Sequence, residues 1–127
     1  MYRLRQHKNL TLEKWSGYPK EQQVLMIANE LNRAGNWIDK LATEEVNNCY
    51  ERALELTDLT SSDGKWQGNA RWELRRFRQM LAIQYTNPEK DAMVNRQLYN
   101  LLVQTVPEAW NLLRPSANPV DVVKTED

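Results

Sequence analysis

The stretch PKEQQVLMIANELNRAG, residues 19–35, decides the fold. Pro19 suits the first turn of a helix, where a backbone N–H has no intrahelical acceptor and its absence costs nothing. Apolar residues then recur at helical spacing, with Val24, Ile27, Ala28, Leu31 and Ala34 on one face. The pattern predicts a helix to Asn32 or Arg33, stopped by Gly35. Leu25 and Met26 point off that face, so VLMIA is apolar almost all round. Such a helix is either central in a bundle or buried against a partner. No segment shows the alternation of a strand, and the fold class is all-α: a compact helical bundle of about four main helices plus short terminal helices.

Outward from this helix, NLTLEKWSGYP predicts one helical turn after Thr11, ending at Ser16 and Gly17. On the other side NWIDKLA reads as a short helix or an irregular arm. Thr43 caps a longer helix with Glu44 and Glu45 in its first turn, where carboxylates meet the positive end of the dipole, and with Val46, Cys49, Tyr50, Ala53, Leu56 and Thr57 inward. Asp63 and Gly64 mark a turn. The next helix spans Gln67 to Tyr85 and buries Ala70, Leu74, Phe77, Leu81 and Tyr85. Asn87 and Pro88 read as cap and first-turn proline of a fourth helix with Val94, Leu98, Leu101 and Leu102 inward. A last short helix starts near Pro107 and carries Trp110, Leu112 and Leu113. PSANPVDVVKTED reads as a flexible tail, or an arm that orders on a partner. The division is thus an N-terminal arm over 1–18, a bundle domain over 19–114 and a tail over 115–127.

ANELNRAGNW followed by YERALEL resembles the two helices of a tetratricopeptide unit, which implies a glycine and an alanine where the helices cross. The stretch between Gly35 and Ala53 is several residues too long for that unit. No second copy follows, and such units need neighbours to bury their faces, so the sequence is assigned to no family.

The 127 residues are 41% hydrophobic and 27% charged, suited to one soluble globular domain and lacking a long apolar run. The basic start, MYRLRQHKNLTLEKW, is not followed by the apolar stretch of a secretory signal, and a single cysteine forms no internal disulfide. A cytoplasmic location is expected, with no membrane partner. Lys plus Arg and Asp plus Glu both number 17, yet the charges are segregated. Lys65 to Arg78 holds five bases and one acid, and Glu44 to Asp58 holds five acids and one base.

At about 100° per residue, Arg71, Arg75 and Arg78 share one flank of their helix, with Trp72 and Arg76 on the other side. As a solvated flank, Arg76 pairs with Glu73 and lies on Trp72. The acids Glu44, Glu51, Glu55 and Asp58 form a solvent-facing stripe. A hairpin centred on Asp63 sets Glu55 level with Arg71 and Glu51 level with Arg75, leaving part of each stripe free. Arg71, Arg75, Arg76 and Arg78 with Glu51, Glu55 and Asp58 are therefore the candidate contacts to a partner or an anion, and two copies pairing acid on base would gain register. A small nucleic-acid-associated regulator using Arg71, Arg75 and Arg78 is the alternative. The neutral chain, the short stripe and the nearby acids argue against it. Binding of a small anion by the same arginines is the second alternative.

Catalytic chemistry is the minority reading. His7 reads as an exposed bystander in a mobile arm, no Glu-x-x-His pair exists, Cys49 falls on the inward face, and the single glycines form no phosphate loop. No catalytic residue, metal ligand or cofactor is assigned. Trp15, Trp37, Trp66, Trp72 and Trp110 lie mostly near helix ends, where an indole covers the core and keeps its N–H wet. Trp72 stands apart, sharing a second apolar strip with Met80 and Ile83. Leu25, Met26, Trp72, Met80 and Ile83 are the expected homodimer interface. The resulting expectation is a non-enzymatic protein–protein interaction or scaffold module that pairs with itself or another protein.

Overall fold

Pro19 stands one residue outside the helix it introduces, in extended backbone, and α2 runs Lys20–Asp39. The computed structural model describes His7 and residues 9–113, except the side chains of residues 110, 112 and 113. The expected tail over 115–127, residues 1–6 of the expected arm, and the inward side chains of Trp110, Leu112 and Leu113 lie outside the described residues. The other helices are α1 (Leu12–Ser16), α3 (Thr43–Ser61), α4 (Gly68–Thr86), α5 (Ala92–Gln104) and α6 (Pro107–Leu113), with no strand among the described residues. The all-α fold is as the sequence predicts. α2 and α4 each pack on both α3 and α5, so the four long helices form a ring in which α2 and α4 are diagonal. Short connections make consecutive helices antiparallel. α1 lies on α3, and α6 lies on α2 and α5.

Gly35 does not stop α2, which absorbs the NWID stretch expected to be separate. A Cβ at Gly35 would sit 3.2 Å from Asn95 Nδ2, and that amide donates to the Leu31 carbonyl at 3.0 Å. A mid-helix glycine costs about 1 kcal/mol against alanine. Here it admits α5 to the backbone of α2. Asn95 Oδ1 accepts from Tyr50 at 2.7 Å, and Gln84 Nε2 lies 3.4 Å from the same hydroxyl while donating to the Asp91 carbonyl at 3.0 Å. Burial pushes the Tyr50 hydroxyl up to about 12, against the opposing Gln84 contact, so it stays a neutral donor.

α2 ends in a Schellman turn: Ala42 N–H reaches the Trp37 carbonyl and Leu41 N–H the Ile38 carbonyl, both at 3.0 Å. The left-handed residue of this turn, usually glycine, is Leu41, with φ 58° and a side chain 88% exposed. Thr43 is the first residue of α3 rather than its cap, since Ala42 takes that place without a side-chain bond. Asn87 and Pro88 do not open the next helix either. Asn87 Oδ1 accepts from Glu89 N–H within the connection, and Asp91 caps α5 through Met93 N–H at 2.8 Å and Val94 N–H at 3.3 Å. The intervening Lys90 donates to the carbonyls of Gln84, Tyr85 and Asn87, closing the C-terminal end of α4.

At the opposite end of the ring a buried polar cluster joins α1, α2, α3 and the α3–α4 connection. Gln23, fully buried, donates from Nε2 to the Trp15 carbonyl at 2.9 Å and to Asp63 Oδ2 at 3.0 Å. Its Oε1 accepts from Trp66 Nε1 at 2.7 Å. Trp15 Nε1 donates to Thr60 Oγ1 at 2.9 Å. Lys65 Nζ donates to Asp63 Oδ2 and to the carbonyls of Ser16 and Tyr18. The indoles of Trp15 and Trp66 are therefore buried and hydrogen-bonded inside the protein, not wet at its edge as expected, and Trp15 ties residues ahead of 19 into the core.

Three outcomes follow from this packing. Gln23→Leu should destabilise the fold by about 2–3 kcal/mol in urea unfolding, because it strands the Trp66 N–H and a lone pair of Asp63. Leu41→Gly should raise stability by about 0.5–1 kcal/mol, since glycine removes the left-handed penalty but loses more entropy on folding. The third concerns acid. Burial opposes ionisation of Asp63, but hydrogen bonds from Lys65 and Gln23 outweigh it and hold the carboxyl down at about 2. A carboxyl depressed in the folded state stabilises above its unfolded pKa and loses that contribution as pH falls through the folded value. Stability should thus drop by on the order of 2 kcal/mol between about pH 4 and pH 2. Asp63→Asn should flatten that limb of the acid titration.

Candidate functional site

α4 turns Leu74, Phe77, Leu81 and Gln84 into the ring and leaves its opposite side in solvent. That outer side carries Trp72, 59% exposed, and Ile83, 63% exposed, three turns apart and about 16 Å along the axis. Between them stand Arg75 and Arg76, both exposed. The Arg76 guanidinium lies 5.2 Å from the centre of the Trp72 ring, and its Nη1 is 3.5 Å from Glu73 Oε1, the two contacts expected of a solvated flank. Stacking an arginine on an exposed indole holds both side chains for well under the gain of a buried contact.

The other arginines separate. Arg78 is turned to α3, where its Nε and Nη2 grip Asp58 at 3.0 and 3.2 Å. Arg71 and Arg75 make no hydrogen bond or ion pair among the described residues. The level matching expected from the sequence is shifted: Asp58 pairs with Arg78, and Glu51 accepts from the Tyr85 hydroxyl at 2.7 Å. Both pairs are centred on position 68, because the connection after Ser61 is longer than a turn about Asp63. Glu55 therefore does not meet Arg71, nor Glu51 Arg75.

The acidic stripe is not the solvent-facing surface expected. Glu55 is 3% exposed, its Oε1 accepting from the His7 backbone N–H at 3.1 Å, with His7 Nδ1 2.8 Å away. His7 is accordingly no bystander but a half-buried lid on Glu55, laid over α3 by the segment that leads into α1. Glu51 and Asp58 are half-buried against α4, and Glu44 alone of the four remains exposed.

The five residues expected at a dimer interface fall on two surfaces. Leu25 and Met26 are half-buried, lining a shallow groove of about 300 Å³ between α2 and α5 with Gln22, Asn29 and Tyr99. Trp72 and Ile83 lie on the outside of α4, across the ring, and Met80 beside them is half-buried against the core. Outer sides of diagonal helices face apart, so the two sets do not make one continuous patch.

Cys49 is buried with its thiol pushed up by burial, the Arg52 charge opposing this, and Arg52 Nη2 lies 3.3 Å from the sulfur. Among the described residues no three histidine, cysteine or carboxylate side chains gather as metal ligands, and no helix is long and apolar enough to cross a membrane. What the sequence reading missed is the set of polar residues in core phase. Gln23 sits four residues before Ile27, Gln84 three after Leu81, and Asn95 three before Leu98, each at a position where the helical period demands an apolar side chain. That mismatch is the signal that marks them.

Truncating the outer face of α4 should leave the fold intact. Trp72→Ala with Ile83→Ala should change unfolding free energy by no more than about 0.5 kcal/mol each, the range for surface positions, as read by denaturant titration. Compared with known protein families, with characterised proteins and with solved structures, the chain matches none.

Proposed function

We propose that the chain is a non-enzymatic protein–protein interaction module that binds a partner on the outer face of α4. The observation that carries this reading is the exposure of Trp72 and Ile83 on one helical side with unpaired Arg75 between them. Tryptophan and arginine dominate the energetics of protein interfaces, because a broad amphipathic ring and a planar cation each gain strongly when a partner excludes water. Neither apolar group contributes to the core of this protein. A Trp72 exposed to this extent leaves apolar surface in water that docking would cover.

The expectation of self-pairing is less well supported by this geometry than recruitment of a different protein. Across a two-fold axis, α4 against α4 would gather Arg71, Arg75 and Arg76 of both copies in one interface, and like charges so placed oppose association. Light scattering should give the mass of a monomer at tens of micromolar. The module reading is tested by affinity capture with the wild type and a Trp72→Ala/Ile83→Ala variant in parallel. At least one protein should be retained by the wild type and lost on the variant, and confirmed by titration of the purified pair. Identical profiles from both baits would overturn the reading.

A further inference from the structure

We infer that the partner of α4 is an acidic amphipathic helix of another protein, an inference that rests on the docking surface proposed above. It follows from where the charges of this chain are engaged. On the acidic side, Asp58 is held by Arg78, Glu55 by His7, Asp63 by Lys65, and Glu30 by both Arg33 and Arg52. Glu51 is bonded to Tyr85. None of these five acids is bonded to Arg71, Arg75 or Arg76. On the outer side of α4 the balance is local: Arg71 and Arg75 are unpaired, and Arg76 shares a half-buried Glu73 at 3.5 Å. A chain of zero net charge thus presents a cationic strip.

The shape of the strip sets the form of its occupant. It is the convex side of a helix with no strand edge among the described residues, so an extended peptide finds no backbone ladder to join. A second helix fits, packing its side chains along the ridges of α4. Its apolar anchors must meet Trp72 and Ile83, about 16 Å apart at the helical rise, and carboxylates must lie between them to reach Arg75 and Arg76. Bidentate pairing of guanidinium with carboxylate gives such contacts their geometry. A nucleic-acid backbone would use the arginines and leave Ile83 and Met80 without a counterpart.

The test is a selection from a displayed library of random sequences on a helical peptide scaffold, run in parallel on three baits. These are the wild type, Trp72→Ala/Ile83→Ala, and Arg71→Gln/Arg75→Gln/Arg76→Gln, each checked for native helix content by circular dichroism. Peptides selected on the wild type should carry Asp and Glu in several-fold excess over the input library between two apolar positions three turns apart. Their affinity should fall at least tenfold on each variant. Peptides that need Trp72 and Ile83 but show no acidic excess would leave the docking surface standing and overturn the acidic partner. Peptides that bind all three baits alike, or no enrichment at all, would overturn both. A labelled twenty-nucleotide DNA, single-stranded or duplex, that binds the wild type more tightly than the best peptide at equal ionic strength would replace the acidic helix by nucleic acid.

Discussion

The amide of Gln23 is the contact on which the rest of the fold is hung. An amide in a dry core must satisfy both of its N–H bonds and its carbonyl, or it costs more than the apolar residue it displaces. Gln23 does so by reaching the main chain of α1, the carboxylate that begins the α3–α4 connection, and the indole that ends it. An apolar residue at that position would accept several helix registers of similar packing. The amide accepts one, because a slide of either neighbour by a single turn leaves a donor bare. Trp15 and Trp66 then have fixed places, and the helices leaving this cluster enter the ring at heights set by it. Tyr50, Gln84 and Asn95 repeat the device toward the other end of the ring, where α4 ends and α5 begins and the Leu31 carbonyl of α2 is the terminal acceptor.

Helix type and the inward faces were legible in the sequence because they follow from periodicity, and the core residues Ile27, Leu31, Cys49, Leu74, Phe77, Leu81 and Leu98 lie where the pattern put them. Boundaries were less legible where a local signal competed with a contact made at a distance. Gly35 reads as a stop, yet it is a port for Asn95, and the actual stop uses a leucine. Asn87 with Pro88 reads as a helix start, yet α4 first needs Lys90 to close its carbonyls. Of the candidate site, Trp72, Arg76 and Ile83 were visible because each lies off the stripe. The burial of Glu55 was invisible, because its cover comes from a residue forty-eight positions earlier. Periodicity describes one helix at a time and says nothing of what crosses it.

The charge pattern shows the same limit from another side. Segregated acids and bases in a sequence suggest two opposed surfaces, but a bundle brings adjacent helices together and closes part of that separation internally. Asp58 with Arg78 is the direct case, a half-exposed fork whose net worth is up to about 1 kcal/mol. The totals stay equal when one acid and one base are paired off, but the remainder is unevenly placed, with Arg71, Arg75 and Arg76 against Glu73 alone on α4. Net charge is therefore a poor guide to the field near α4.

Three of the five tryptophans separate the protein's fold from its surface. Trp15 and Trp66 are enclosed and held by fixed donors and acceptors, so their emission reports whether the ring is assembled. Trp72 sits in water under a guanidinium and reports only what touches α4. A soluble quencher reaches it while the enclosed indoles remain protected, and a ligand seated on α4 shields it without disturbing them. With Trp37 and Trp110 replaced by phenylalanine, one chain thus carries, without labels, an optical channel for folding and another for occupancy.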